Sequence, residues 1–216
     1  MKKHLGVAVG YLFLILLFIV GCRSTYYSVW EQLGKEKRHL LKDNVENARD
    51  EQEQASEQFK DALTQLKELY GFHGGDLEDF YNRLKDNYEA CEKRAQAVEN
   101  RIDKVEQVAA DLFSEWENEI NEMTNENFKA KSRASLKDTK RRYDRLYAAM
   151  TKAKQGMDPV LINLRDYVLY LKHNLNAQAI GALRAEVRDI ELDVQTLIAD
   201  MNKSIHEADE FLKTLQ

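Results

Sequence analysis

The sequence predicts an all-α fold: an elongated, coiled-coil-like four-helix bundle, antiparallel, running up, down, up and down. Three observations predict it. Apolar residues recur at alternating steps of three and four from Leu41 to Leu212, the repeat by which helices bury one stripe against their neighbours. Charged residues make up 32% of the 216, against nine glycines and one proline, a composition that favours helix. The repeat is interrupted near Gly71, Asn125 and Asn174, and short turns between helices of similar length force antiparallel neighbours.

Before the first helix comes a leader. Met1-Lys2-Lys3-His4 is a short cationic stretch, Leu5 to Val20 is apolar apart from glycines and a tyrosine, and Gly21 precedes Cys22. That is the three-part pattern of a secretory signal peptide, here residues 1–21. A small residue directly before cysteine resembles the bacterial lipobox, which implies cleavage before Cys22 and its acylation by palmitate-type chains. Each buried acyl CH₂ contributes about 0.8 kcal/mol, so several chains on one residue would anchor firmly. The apolar run falls short of the roughly 20 residues of a spanning helix. Arg23, not aspartate, follows the cysteine, which favours the outer over the inner membrane. The expected location is therefore the periplasmic face of the bacterial outer membrane, held by lipid.

Residues 22–216 are expected to form a single helical domain. Helix one covers about 26–70. Tyr26, Tyr27 and Trp30 follow the anchor and suit the headgroup region, or else cap the core. The seam then runs Leu41, Val45, Ala48, Gln52, Ala55, Phe59, Ala62, Leu66 and Leu69, with Gln52 its one polar intruder. Gly71 is expected in the left-handed C′ position, and Asp76 as N-cap of helix two. Helix two covers about 77–124, its seam passing through Phe80, Leu84, Cys91, Leu112 and Trp116 to Met123.

The polar stretch from Thr124 to Lys131, with Asn125 and Asn127 as breakers, is expected to make the second turn. Helix three follows over about 133–172. Pro159 lies inside its seam without changing the phase, so a kink is expected there, eased by Gly156, and no chain reversal. Asn176 suits an N-cap, with Leu175 and Ile180 as a hydrophobic staple. Helix four then covers about 177–215, its seam passing through Ile205 to Leu212. A bent three-helix arrangement, without reversal at Leu175, and an elongated dimer remain as alternatives.

Charge and cysteine usage narrow the chemistry. The net charge is −5 and becomes −7 once Lys2 and Lys3 leave with the leader, so the overall balance does not suit nucleic acid. With Cys22 acylated, Cys91 stands alone, excluding an intramolecular disulfide, and its seam position predicts a buried, inert thiol. Residues 129–154 hold ten basic against two acidic side chains, whereas residues 111–126 hold six acidic and no basic ones. Pairing across the two helices is the expected outcome. A sharper possibility is that Lys140, Arg141, Arg142 and Arg145 touch an anionic surface such as lipid headgroups.

Up-and-down topology gathers two turns at the end far from the anchor. Phe72, His73 and Asp76 would meet His173, Asn174 and Asn176 there, as a candidate partner-binding tip. Imidazole and carboxylate are ligand types for zinc or copper, but no pair has a recognised ligand spacing, so no metal or other cofactor is expected. No phosphate loop, His-Glu-x-x-His helix or G-x-S-x-G turn is present, so neither ATP chemistry, zinc hydrolysis nor a serine nucleophile is indicated, and no catalytic residue is assigned.

Pro159-Val160-Leu161, Leu169 and the run Leu171-Lys172-His173-Asn174-Leu175-Asn176-Ala177-Gln178-Ala179-Ile180 resemble the signature of a proteobacterial family of secreted helical proteins known as domain of unknown function 2959. The resemblance implies no activity, substrate or cofactor. It implies that the Asn-rich turn is a family feature. The expectation is a non-enzymatic envelope lipoprotein acting as scaffold or tether, with an envelope protein as partner or with self-association. The alternative is a periplasmic bundle that binds a lipid or a metal ion.

Overall fold

The structure, a computed structural model, describes residues 37–71 and 77–215. They form four helices, α1 (Lys37–Gly71), α2 (Leu77–Glu122), α3 (Glu126–His173) and α4 (Ala177–Thr214), and no strand among the described residues. The chain divides into two compact units, Met1–Leu40 and Leu41–Gln216. Of the first unit, only the opening turn of α1 is described; the second holds the bundle. The leader, Cys22, Tyr26, Tyr27 and Trp30 lie outside the described residues, as do Phe72, His73 and Asp76.

Side-chain pairs between neighbouring helices fix the topology. Arg83 meets Glu68 at 2.9 Å and Arg94 meets Glu51 at 2.9 Å, joining α1 to α2. Lys154 reaches Glu99 at 2.6 Å and the Trp116 indole donates to the Ser132 hydroxyl at 2.9 Å, joining α2 to α3. Lys152 meets Asp200 at 2.6 Å and Arg145 meets Glu207 at 3.7 Å, joining α3 to α4. Arg49 meets Asp209 at 3.1 Å and Lys67 meets Glu191 at 2.7 Å, closing the ring from α4 to α1. Numbers rise along one helix as they fall along the next, so every adjacent pair is antiparallel. The expected up-down-up-down four-helix bundle is what these residues build.

The seams supply its core. Every seam position named for α1, from Leu41 to Leu69, is buried, Gln52 included. In α2 the stripe shifts by one residue: Phe113 is buried in place of Leu112, and Trp116 is only partly covered. A strict seven-residue repeat drifts by about 20° per heptad on a helix of 3.6 residues per turn, and one extra residue re-centres it. The same correction applies in α3, where Val168 is buried and Tyr167 half-buried, and in α4, where Ser204 and Phe211 turn inward while Ile205 moves to the margin. Phe113, Tyr143 and Phe211 lock α2, α3 and α4 together, with ring centroids 5.4 Å and 6.2 Å apart. Edge-on packing of this kind adds to what burial alone contributes.

Three local expectations are corrected. Asn125 is not a breaker but the N-cap of α3, its side-chain oxygen accepting from the backbone of Asn127 and Phe128, so α3 begins at Glu126 and the turn is only 123–125. An asparagine satisfies two orphan helical donors there, and the polar residues after it are the exposed first turns of a helix. The Lys129 ammonium donates back to the carbonyls of Asn121 and Met123, tying off the end of α2. Gly71 closes α1 as a helical residue without the left-handed backbone expected of it. The Asn176 N-cap forms as expected, but Leu175, expected to staple onto Ile180, stays 44% exposed. Pro159 lies within an unbroken α3.

Candidate functional site

The end of the bundle that carries the α3–α4 turn is set by backbone satisfaction. The Asn174 backbone N–H donates to the Leu171 carbonyl at 3.1 Å, and its side-chain amide donates to the Tyr170 carbonyl at 2.9 Å. The Asn176 side chain accepts from the Ala179 N–H at 3.0 Å, and the Asn176 backbone N–H donates to the Asn174 carbonyl at 2.9 Å. Both asparagines therefore spend their side chains on the two helix ends, which holds a three-residue turn in one conformation. The Arg184 guanidinium donates to the Leu69 carbonyl in the last turn of α1, where a cation opposes the negative end of the helix dipole. That contact brings the end of α1 beside the start of α4, and with it Tyr70 to the same end as the turn.

This end presents several exposed apolar side chains among polar ones such as Lys172 and His173. Leu169 is 49%, Tyr170 39% and Leu175 44% exposed, and Tyr70 is half-exposed beside them in level. Next to this group, burial and then the carboxylates of Glu186 and Asp189 push the Tyr167 phenol up to about 12, so it stays a neutral hydrogen-bonding group. His173 is exposed at the end of α3. Of the six expected tip residues, the structure brings His173, Asn174 and Asn176 into one turn. The asparagines serve the backbone, and the exposed side chains are ones the sequence argument passed over. Their signal was present: Leu169 and Tyr170 are apolar residues off the seam, where a solvated face would be polar.

The candidate anionic-surface residues are placed in ion pairs. Lys140 pairs with Glu117 across the α2–α3 interface and lies over the Phe113 ring, 5.6 Å from its centroid. Arg141 and Arg142 both pair with Asp138, Arg142 at 2.7 Å, and Arg145 reaches Glu207. The hydrogen bond from Arg142, then the charges of both arginines, hold the Asp138 carboxyl below its usual range. Exposed pairs of this kind contribute little to stability; those to Glu117 and Glu207 bridge neighbouring helices, while both Asp138 pairs lie within α3. Beside them an open groove of about 850 Å³ runs between α2 and α3, with Arg133, Lys137 and Arg141 spaced one turn apart along its α3 wall.

Cys91 faces the interior of the bundle, its sulfur 3.6 Å from the Gln58 carbonyl of α1. Burial, then the charge of Asp61, pushes its thiol up to about 12, which is the inert cysteine the seam predicts. Among the described residues no three His, Cys, Asp or Glu side chains gather as a metal-binding group, and no helix is long and apolar enough to cross a membrane.

Comparison with known proteins adds one match. The family described as Protein of unknown function (DUF2959) matches residues 26–215. No curated protein matches the chain.

Proposed function

The chain belongs to the DUF2959 family, and from that premise we propose that it is a lipid-anchored scaffold or tether of the bacterial envelope, non-enzymatic, which engages a partner protein through the α3–α4 end of its bundle. The observation that carries this reading is the pairing of a rigidly capped turn with exposed Leu169, Tyr170 and Leu175. A turn held by side-chain caps has lost its conformational freedom already, so docking onto it costs less ordering entropy. The leader pattern around Gly21-Cys22 supports placement at a membrane surface, with the outer membrane favoured by Arg23.

Anchoring is tested separately from partner binding. In the native host, the N-terminal peptide of the mature protein should begin at Cys22 and carry acyl mass. Residues 23–216 exported behind a leader that is cut without lipidation, and so lacking Cys22, should stay in the soluble fraction. A protein that keeps residues 1–21, and whose residues 23–216 sediment with membranes when exported in that way, would overturn the lipoprotein part of the proposal.

A further inference from the structure

Ile162 and Leu169 of α3 are 48% and 49% exposed, and their spacing of two helical turns puts them on one side of the helix. The buried stripe of this part of α3 runs through Val160, Leu164, Val168 and Leu171. A helix turns by about 100° per residue, so Ile162 and Leu169 point almost directly away from that stripe. They take no part in the core of their own bundle. An apolar pair at this spacing on an outer face is the pattern by which one helix meets another.

The charges between them decide what the stripe fits. Arg165 and Asp166 approach to 3.7 Å, with side chains 53% and 61% exposed. Consecutive residues stand about 100° apart around the helix, so one lies on each flank of the Ile162–Leu169 stripe. This pattern complements itself in one orientation only. In two parallel copies of α3 related by a two-fold axis along the helices, Ile162 meets Ile162 and Leu169 meets Leu169. The Arg165 flank of each copy then faces the Asp166 flank of the other, giving two pairs of opposite charge. In an antiparallel pair the two-fold axis runs across the helices and like flanks coincide. Arg165 would face Arg165 there, and Asp166 would face Asp166.

We propose that the outer face of α3 around Ile162, Arg165, Asp166 and Leu169 is a contact for a second copy of this chain, with the two bundles side by side and parallel. The contact goes beyond the α3–α4 end, since Ile162 lies about two turns further from the turn and Leu175 stays free for another partner. Parallel copies point the same end of both bundles the same way, as two chains held in one membrane must; this part rests on the anchoring proposed above. Two turns of helix bury far less than the roughly 800 Å² per partner of a standard interface. The pair is therefore weak in dilute solution and gains from the effective concentration that a shared membrane supplies.

The test is disulfide crosslinking of the full chain in whole cells of the native host, with a mild thiol oxidant added. Ile162→Cys and Leu169→Cys are made singly. The control is Leu192→Cys on α4, a position 57% exposed and next to the Asp193 that meets Asn163, hence level with Ile162 on another helix. Ile162→Cys and Leu169→Cys should each give a crosslinked dimer of the chain, and Leu192→Cys should not, because a disulfide needs Cα atoms within about 7 Å. Arg165→Asp should lower the Ile162→Cys yield at least about twofold, and adding Asp166→Arg, which restores opposite charges across the axis, should recover it. Anchoring is read on the same cells from the N-terminal mass, so loss of the anchor and loss of the contact are told apart. Crosslinking no greater than at Leu192→Cys, a dimer only when Ile162→Cys and Leu169→Cys chains are mixed, or no recovery in the charge exchange would overturn the parallel contact.

Discussion

An added Cβ at Gly156 would stand 3.3 Å from the Leu197 Cδ1. Gly156 is therefore a point of close approach between α3 and α4, and Leu197 is buried with little room to retreat. Gly181, within α4, has open space where its Cβ would be. Alanine exceeds glycine in a helix interior by about 1 kcal/mol. Gly181→Ala should gain roughly that amount in urea unfolding, whereas Gly156→Ala should gain clearly less or lose stability. Equal gains at both positions would remove the close-approach argument.

Stability should fall on the alkaline side. The folded state raises Cys91 to about 12 from 9.0 and Tyr167 to about 12 from 10.0, and burial pushes Tyr143 up as well. These groups bind their protons more tightly folded than unfolded, so their contribution is complete below their ordinary values and is lost as pH rises towards 12. Unfolding midpoints should be flat in this respect up to about pH 9 and then decline. At pH 8 the Cys91 thiol should react with a thiolate-selective reagent far more slowly than the same residue in denaturant.

Asn176→Ala should cost about 1 kcal/mol, because the Ala179 N–H loses its side-chain acceptor at the start of α4. Asn176→Asp, which keeps an acceptor oxygen in place, should cost less. A thermal midpoint measured for both variants checks this. Equal losses would mean that the cap is not what holds the turn.

The fold was legible because its signal is repetitive: twenty or more seam positions agree on one helical stripe, and errors at single residues do not change the sum. Leu112 against Phe113 and Ile205 against Ser204 were misassigned for one reason, the slow drift of a helix relative to a seven-residue repeat. Asn125 was misread because asparagine stops one helix and starts another by the same side-chain chemistry. The candidate tip was legible only in part. Sequence brings His173, Asn174 and Asn176 into view by residue type, but whether an asparagine faces a partner or its own backbone is settled by turn geometry. The exposure of Leu169, Tyr170 and Leu175 depends on how the four helices meet at that end.

Photocrosslinking in living cells of the native host tests the central claim most directly, with a photoreactive residue placed singly at Tyr170 and Leu175 of the α3–α4 end. Phe128, 64% exposed beside the α2–α3 turn at the opposite end, is the control position. One envelope protein recurring from both Tyr170 and Leu175, absent from Phe128, and lost when Leu169 is changed to serine, is the predicted result. No adduct from the α3–α4 end, or the same proteins captured from Phe128, would contradict a tether that works through that end.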